Sequence, residues 1–188
     1  MKNLKTIAIA LFVAAASISV NAQTKKIDVK ASTIKWVGKK VTGEHSGTVN
    51  FKDGAVVLKG KKLVGGTFIV DMNSLTATDL TGEYQGKLNG HLKADDFFGT
   101  EKYPTATLVF KKIAAKTANV YAVTADLTIK GITKPVSFDL TVNANSATTA
   151  FKVDRTKYDI KYNSGNFFQN LGDKTINDDF ELAVALKF

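Results

Sequence analysis

The chain of 188 residues contains no cysteine, which excludes disulfide staples, a lipidated anchor and a thiolate metal site. Histidine occurs only at positions 45 and 91, and arginine only at 155. So thin a supply of acid–base groups argues against a hydrolase, which needs a nucleophile, a base and an orienting group brought together. Ser46 follows His45, but neighbours in a strand point to opposite faces and make a poor dyad. A metal centre would have to join His45 and His91 with Asp95 or Asp96, and no ligand spacing supports that. The plainer reading has both histidines tying a loop and a helix to backbone carbonyls. No catalytic residue, no metal and no cofactor is therefore expected.

Positive charge is almost entirely lysine. The formal net charge is +9, and setting Lys2 and Lys5 aside leaves 24 basic against 17 acidic groups, near +7. Lysine pairs at 25–26, 39–40, 61–62 and 111–112 are scattered along the chain, as on solvated strand edges and turns, where they discourage edge-to-edge pairing. A nucleic-acid surface would cluster arginine with interleaved aromatics, so no nucleic-acid partner is expected. Transient attraction to anionic lipid headgroups is the milder use of this charge.

A long apolar run occurs only at the start. Lys2 and Lys5 form a basic region, Ile7 to Ala16 is continuously apolar, and Val20–Asn21–Ala22 ends on the small residue a signal peptidase needs. This predicts a signal peptide over residues 1–22, cleavage after Ala22, and a periplasmic or secreted domain over 23–188. A transmembrane anchor is the alternative, although the run is short for a bilayer. About 166 residues make one domain with enough core to fold without staples.

Most of this domain alternates with period two. Ile34 and Trp36 share a face, as do Val49 and Phe51, with Lys52–Asp53–Gly54 reading as a turn. Phe68, Val70 and Met72 alternate next, followed by Tyr121 to Ile129 and Val136 to Val142. A last run places Ile176, Phe180, Leu182, Val184, Leu186 and Phe188 on one side. Roughly eight strands with one wet and one dry face argue for an all-β sandwich or an up-and-down antiparallel barrel. About eight strands also suit a closed barrel that holds side chains or one small ligand.

One segment breaks the pattern. In GHLKADDFFGTEKYPTATLVF, Gly90 to Phe110, Leu92 shares a helix face with Leu88, and Phe97 and Phe98 close its apolar end. Gly99 supplies the stop and Pro104 forces Tyr103 into an extended conformation ahead of a β-rich run. This wording, with DLTIKGITKPVSFDL (Asp126 to Leu140) and FKVDRTKYDIKYN (Phe151 to Asn163), resembles the YceI-like family of lipocalin-like, polyisoprenoid-binding proteins. The resemblance implies an eight-stranded antiparallel lipocalin-like barrel with one short helical excursion, and it chooses the barrel over the sandwich. Gly43, His45 and Gly47 match the family's Gly-x-His-x-Gly wording, His91 its Gly-His-Leu, and Asp154, Arg155 and Tyr158 its Asp-Arg-x-x-Tyr. The chain departs where the family often has glycine after the tyrosine, since Asp159 stands there.

The resemblance further implies a non-catalytic carrier that encloses one isoprenoid-type lipid, a polyprenyl phosphate or a quinone, for transport or storage in the cell envelope. Each methylene left in water costs about 0.8 kcal/mol, so a long chain crosses an aqueous compartment only inside a dry sleeve. The candidate lining is Trp36, Phe51, Phe68, Val70, Phe110, Val123, Leu127, Phe138, Leu140, Phe151, Phe180, Leu182 and Val184, each with an alternative reading as ordinary core. Arg155 sits on the face of Phe151 and Val153; it either pairs with Asp178, Asp179 or Glu181 or meets the lipid headgroup. The helix around Leu88 to Phe98 caps or gates one end. Partners are the lipid, a transient membrane surface and, left open, a second copy of the chain. The rivals are a small outer-membrane barrel, suggested by the alternating ELAVALKF ending, and a barrel stress protein without a dedicated ligand.

Overall fold

The computed structural model describes residues 21–188, so all but the last two residues of the expected leader, 1–22, lie outside the described residues. The first strand, β1 (Ala22–Lys26), begins at the residue expected to end that leader. It is followed by β2 (Thr33–Lys40), β3 (Gly43–Lys59), β4 (Lys62–Ala77), one helix α1 (Gly82–Lys93), and β5 (Thr105–Ala115). Then come β6 (Val120–Ile129), β7 (Ile132–Val142), β8 (Ser146–Asp154) and β9 (Ile176–Lys187), with a 3-10 turn over Arg155–Tyr158.

Every strand pairs antiparallel with its neighbours, and the order β3-β2-β9-β8-β7-β6-β5-β4 closes through β4 back onto β3. The wall is a closed barrel of eight strand positions. β1 adds no ninth position: it lies beside the far half of β3 (Ala22 opposite Lys59) while β2 lies beside the near half (Lys40 opposite Gly43). Closure pairs most strand edges among the described residues, the stretch between β7 and β8 excepted.

The expected alternation appears as burial. On β6, Tyr121, Val123, Ala125, Leu127 and Ile129 are buried while Ala122, Thr124, Asp126 and Thr128 between them are partly exposed. The dry faces turn inward all around the wall, the reverse of a lipid-facing barrel. Small Ala125 on β6 lets phenylalanines from either side meet across it, completing a belt of rings. Phe51–Phe68, Phe68–Phe110, Phe110–Phe138 and Phe138–Phe151 lie 6.1, 5.5, 6.1 and 4.6 Å apart, within the range of favourable aromatic contacts.

Two local expectations are corrected. Lys52–Asp53–Gly54 is not a turn: β3 runs through it, and the register with β4 shifts between Phe51 and Asp53. The extra residue is a β-bulge, with the Gly54 N–H donating to Asp53 Oδ1 at 2.8 Å. The helix also stops before Phe97. It ends at Lys93, Ala94 is already extended, and Gly99, with φ +55°, closes the following turn by donating its N–H to Ala94 O at 2.9 Å.

Between β7 and β8 the wall is barely laddered. Only Thr141–Thr148 and Val142–Ala147 pair, next to the connecting turn. Farther along, the Thr149 hydroxyl donates to Asp139 O at 2.7 Å. The 3-10 turn packs against β7, with Tyr158 and Ile160 fully buried.

Candidate functional site: an apolar channel along the barrel axis

Two adjoining cavities of about 140 and 90 Å³ run along the axis. They share Ile34, Val70, Ala106, Leu127 and Leu182, so they form one interrupted channel. Trp36 and Phe180 line the larger chamber. Phe51, Phe68, Phe110, Phe138, Leu140, Phe151 and Val184 line the smaller one, while Val70, Leu127 and Leu182 face both. Val123 lines neither: it is 1% exposed and packed in the wall beside them. It faces inward as its periodicity requires, but its height along the axis is set by register, which alternation alone does not give.

Sequence reasoning missed part of the larger chamber. Met72, Leu75, Leu92, Phe97 and Phe98 reach it from the end of β4, from α1 and from the turn after it. Hydrophobicity was the available signal, but the turn that aims Phe97 and Phe98 inward has no period to read. Gly38 also lines this chamber, and a Cβ built there meets nothing within 4 Å, so an inward-facing position of β2 is left empty. Asn177 and Asp179 are exposed and also line the chamber, so it reaches the surface beside the start of β9. There the β2–β9 register slips between Gly38 and Lys40.

Arg155 lines this chamber beside the rim residue Asn177 and is 2% exposed. Its Nε donates to Asn177 O at 3.0 Å, Nη1 to Ile160 O at 2.8 Å and Nη2 to Ile176 O at 3.0 Å. Asp178 Oδ1 lies 3.5 Å from Nη2, and the guanidinium sits 5.8 Å over the Phe97 ring. Of the three carboxylates considered, Asp178 is the partner. Burial pushes this guanidinium down from its ordinary value, with Asp178 and Asp154 opposing the shift. The five-donor fork explains the lone arginine: it ties the 3-10 turn and the first residues of β9 to one point.

Neither histidine binds a backbone carbonyl as expected. His45 Nδ1 pairs with Asp79 Oδ2 at 2.8 Å, and Ser46 N–H donates to Asp79 Oδ1 at 3.1 Å, strapping β3 to the segment before α1. Burial pushes the Asp79 carboxyl up, but these hydrogen bonds outweigh it and hold the group below the usual carboxylate range. His91 is held by rings, 4.5 Å from Tyr162 and 5.5 Å from Phe97, and its buried Nε2 has no hydrogen-bond partner among the described residues. Asp95 is engaged by Lys102 at 2.7 Å. The helix is seated by Asn89, whose Oδ1 accepts from Ala77 N–H at 2.8 Å, and by Gln85, whose Nε2 donates to Ala77 O at 2.7 Å.

Comparison with known proteins agrees with this architecture. Residues 25–188 match the YceI-like domain. A UPF0312 protein of Shewanella denitrificans is 32% identical over 91 residues, covering 48% of this chain and 46% of that protein. One from Staphylococcus aureus is 35% identical over 86 residues, covering 40% and 47%. These matches span about half the length of each relative. Among solved structures, BcnA of Burkholderia cenocepacia superposes with a TM-score of 0.68 at 22% identity, over 85% of this chain and 98% of that one. A polyisoprenoid binding domain from Saccharophagus degradans, described as implicated in plant cell wall breakdown, gives 0.56 at 18% identity, over 86% and 95%. At such identities the likeness is one of fold.

Proposed function

The chain belongs to the YceI-like family, and from that membership and its channel we propose a soluble, non-catalytic carrier of one isoprenoid-type lipid in the cell envelope. The observation that carries the reading is the pair of adjoining, mostly apolar chambers that lead from the Phe51–Phe151 belt to a polar rim at Asn177 and Asp179. Such a channel accepts a branched hydrocarbon lengthwise and leaves a polar head, a phosphate or a quinone ring, at the rim. That the Saccharophagus degradans domain is a polyisoprenoid binding domain supports the same ligand class. The leader pattern read from the sequence over residues 1–22 supports a periplasmic or secreted location.

Volume bears on how the lipid is held. A cavity of about 150 Å³ lined by aliphatic and aromatic side chains takes up one benzene molecule. Chambers of about 140 and 90 Å³ thus hold roughly one or two isoprene units as they stand. A longer chain requires the barrel to widen, and the seam between β7 and β8 is where fewest hydrogen bonds oppose it.

Trp36 lines the larger chamber and is the chain's single tryptophan, so its fluorescence reports on occupancy. The test is mass spectrometry of an organic extract from protein purified without detergent, followed by titration of stripped protein with isoprenoids of increasing length. A stoichiometric isoprenoid in the extract, and a saturable Trp36 response weakened by Gly38→Leu, is the expected result. An empty extract with no response at any length overturns the carrier reading in favour of a barrel without a dedicated ligand.

A further inference from the structure

Lysines scattered in sequence are not scattered in space. At the pole opposite α1, Lys59, Lys61 and Lys62 flank the β3–β4 turn, and β1 beside it brings Lys25 and Lys26. The end of β5 adds Lys112 and Lys116, and the end of β9 adds Lys187. These segments meet: Tyr121 Oη donates to Lys61 O at 3.5 Å, Lys25 Nζ donates to Ala144 O at 3.1 Å, and Asp28 N–H donates to Lys187 O at 2.7 Å. All of these lysines except Lys25 are exposed.

The carboxylates at this pole are Asp28 and Asp139. Asp28 Oδ1 is occupied by the N–H groups of Lys30 and Ala31, and Asp139 pairs with Lys116 at 2.7 Å. Among the described residues, the remaining lysines of the pole form no ion pair. At the α1 end Lys39, Lys102, Lys157 and Lys161 lie against Glu181, Asp95, Asp154 and Asp159 respectively. The lysines there without an ion pair, Lys40, Lys93, Lys130 and Lys174, are offset in number by the further carboxylates of Asp79, Asp96, Glu101 and Asp173. The excess charge of the chain is therefore concentrated at one end.

That end is closed. Val56, Leu58, Leu63 and Tyr121 are buried beneath it, and the channel surfaces at the other end. Lysine ammoniums without arginine suit a diffuse layer of phosphate headgroups better than a geometrically defined phosphate site.

We propose that the lysine pole is a docking surface for an anionic phospholipid bilayer, holding the barrel with its channel mouth turned away from that bilayer. The choice of a bilayer over another polyanion rests on the lipid-carrier reading. Docking by the closed end leaves the mouth and its exposed Phe167 and Phe168 free while the protein stays at the surface.

The experiment is co-sedimentation of lipid-stripped protein with phosphatidylcholine vesicles, with and without phosphatidylglycerol, across a salt series. Two charge-matched variants are compared: Lys59→Gln/Lys61→Gln/Lys62→Gln at the pole and Lys39→Gln/Lys157→Gln/Lys161→Gln at the mouth end. Expected is salt-sensitive binding that requires phosphatidylglycerol, is reduced on the order of 100-fold in the pole variant, and is retained in the mouth-end variant. Equal loss in both variants, no binding at all, or loss in Phe167→Ser/Phe168→Ser instead of the pole variant overturns the proposal. Tighter binding to duplex DNA than to vesicles at equal salt also overturns it. Because the protein is stripped, an empty lipid extract bears on the carrier reading and a failed sedimentation on the docking surface.

Discussion

Phe138 and Phe151 stack with ring centroids 4.6 Å apart and planes 18° from parallel, at a height where β7 and β8 share no ladder pairing. The two residues continue the register of Thr141–Thr148 and Val142–Ala147, so side chains close what the backbone leaves open. Such a stack contributes about 0.5–1.5 kcal/mol beyond the area it buries. The neighbouring β6–β7 interface is paired all the way from Val120–Thr141 to Ile129–Ile132. The seam is thus the softest line in the wall, and it borders the smaller chamber.

Phe151→Ala is expected to cost about 3 kcal/mol, the lower end for a phenylalanine truncation because the ring is only partly buried. Amide exchange in β7 between 134 and 140 is expected to accelerate while β6 stays protected. Denaturant unfolding and residue-resolved hydrogen exchange check both. Uniform protection across β6, β7 and β8 in the unmutated protein would show that the seam is not soft.

Gly47→Ala is expected to be among the most damaging single-atom additions in the chain. A Cβ there would lie 1.9 Å from Thr76 O, 2.6 Å from Trp36 Cζ2 and 2.8 Å from Ala77 Cα. Two of these atoms are backbone, held by the β3–β4 pairing of Gly47 with Ala77. Relief must separate the strands that close the barrel and shift the indole that lines the channel. Overpacking of this kind costs about 1–3 kcal/mol and occasionally more. Thermal unfolding reads the loss, and a blue- or red-shifted Trp36 emission reads the displaced indole.

Alternation from Tyr121 to Ile129, Val136 to Val142 and Phe180 to Leu186 was enough to place the inward faces, because one buried side fixes a period of two. The wording around His91, Pro104 and Arg155 added closure and the helical excursion. What stayed illegible was set by register and by long-range partners. Val123 could not be separated from Leu127, four residues on, because both face inward at different heights. Asp53–Gly54 looked like a turn because a bulge uses the same residue types. Asp79, which holds His45, and Tyr162, which holds His91, are 34 and 71 positions from their partners, and only the fold brings them together. The lysine pole was invisible for the same reason.

Asp159 stands where the family often has glycine, and the structure accounts for both residues. Its φ is +59° in the left-handed region, where glycine is free of strain and aspartate is among the better tolerated alternatives. Asp159→Gly is expected to raise the urea midpoint, because relief of the left-handed backbone outweighs both the exposed contact with Lys161 at 2.8 Å and the greater freedom of glycine in the unfolded chain. Asp159→Ala is expected to lower it. The comparison of the two midpoints in urea is the check, and equal destabilisation by both would locate the value of Asp159 in its side chain and not in its backbone.

Tyr158 is 1% exposed, and its hydroxyl has no hydrogen-bond partner among the described residues. Burial, and secondarily the Asp154 carboxylate, push its pKa up to about 12 from an ordinary 10. Between these values the unfolded chain has released the phenolic proton and the folded chain has kept it. Stability therefore falls as pH rises from about 10 towards about 12 and levels off beyond, while below 10 the neutral phenol contributes no pH dependence. Two pH units correspond to at most about 2.7 kcal/mol. Tyr158→Phe removes this titration together with an unpartnered buried hydroxyl, which itself costs about 1–3 kcal/mol. The variant is expected to be more stable than the parent at pH 7, with the gap widening through the alkaline window. Contributions common to both proteins cancel in the difference. Parallel alkaline curves, with the parent more stable at pH 7, would mean that the hydroxyl is satisfied by a buried water and that its proton is not held by the fold.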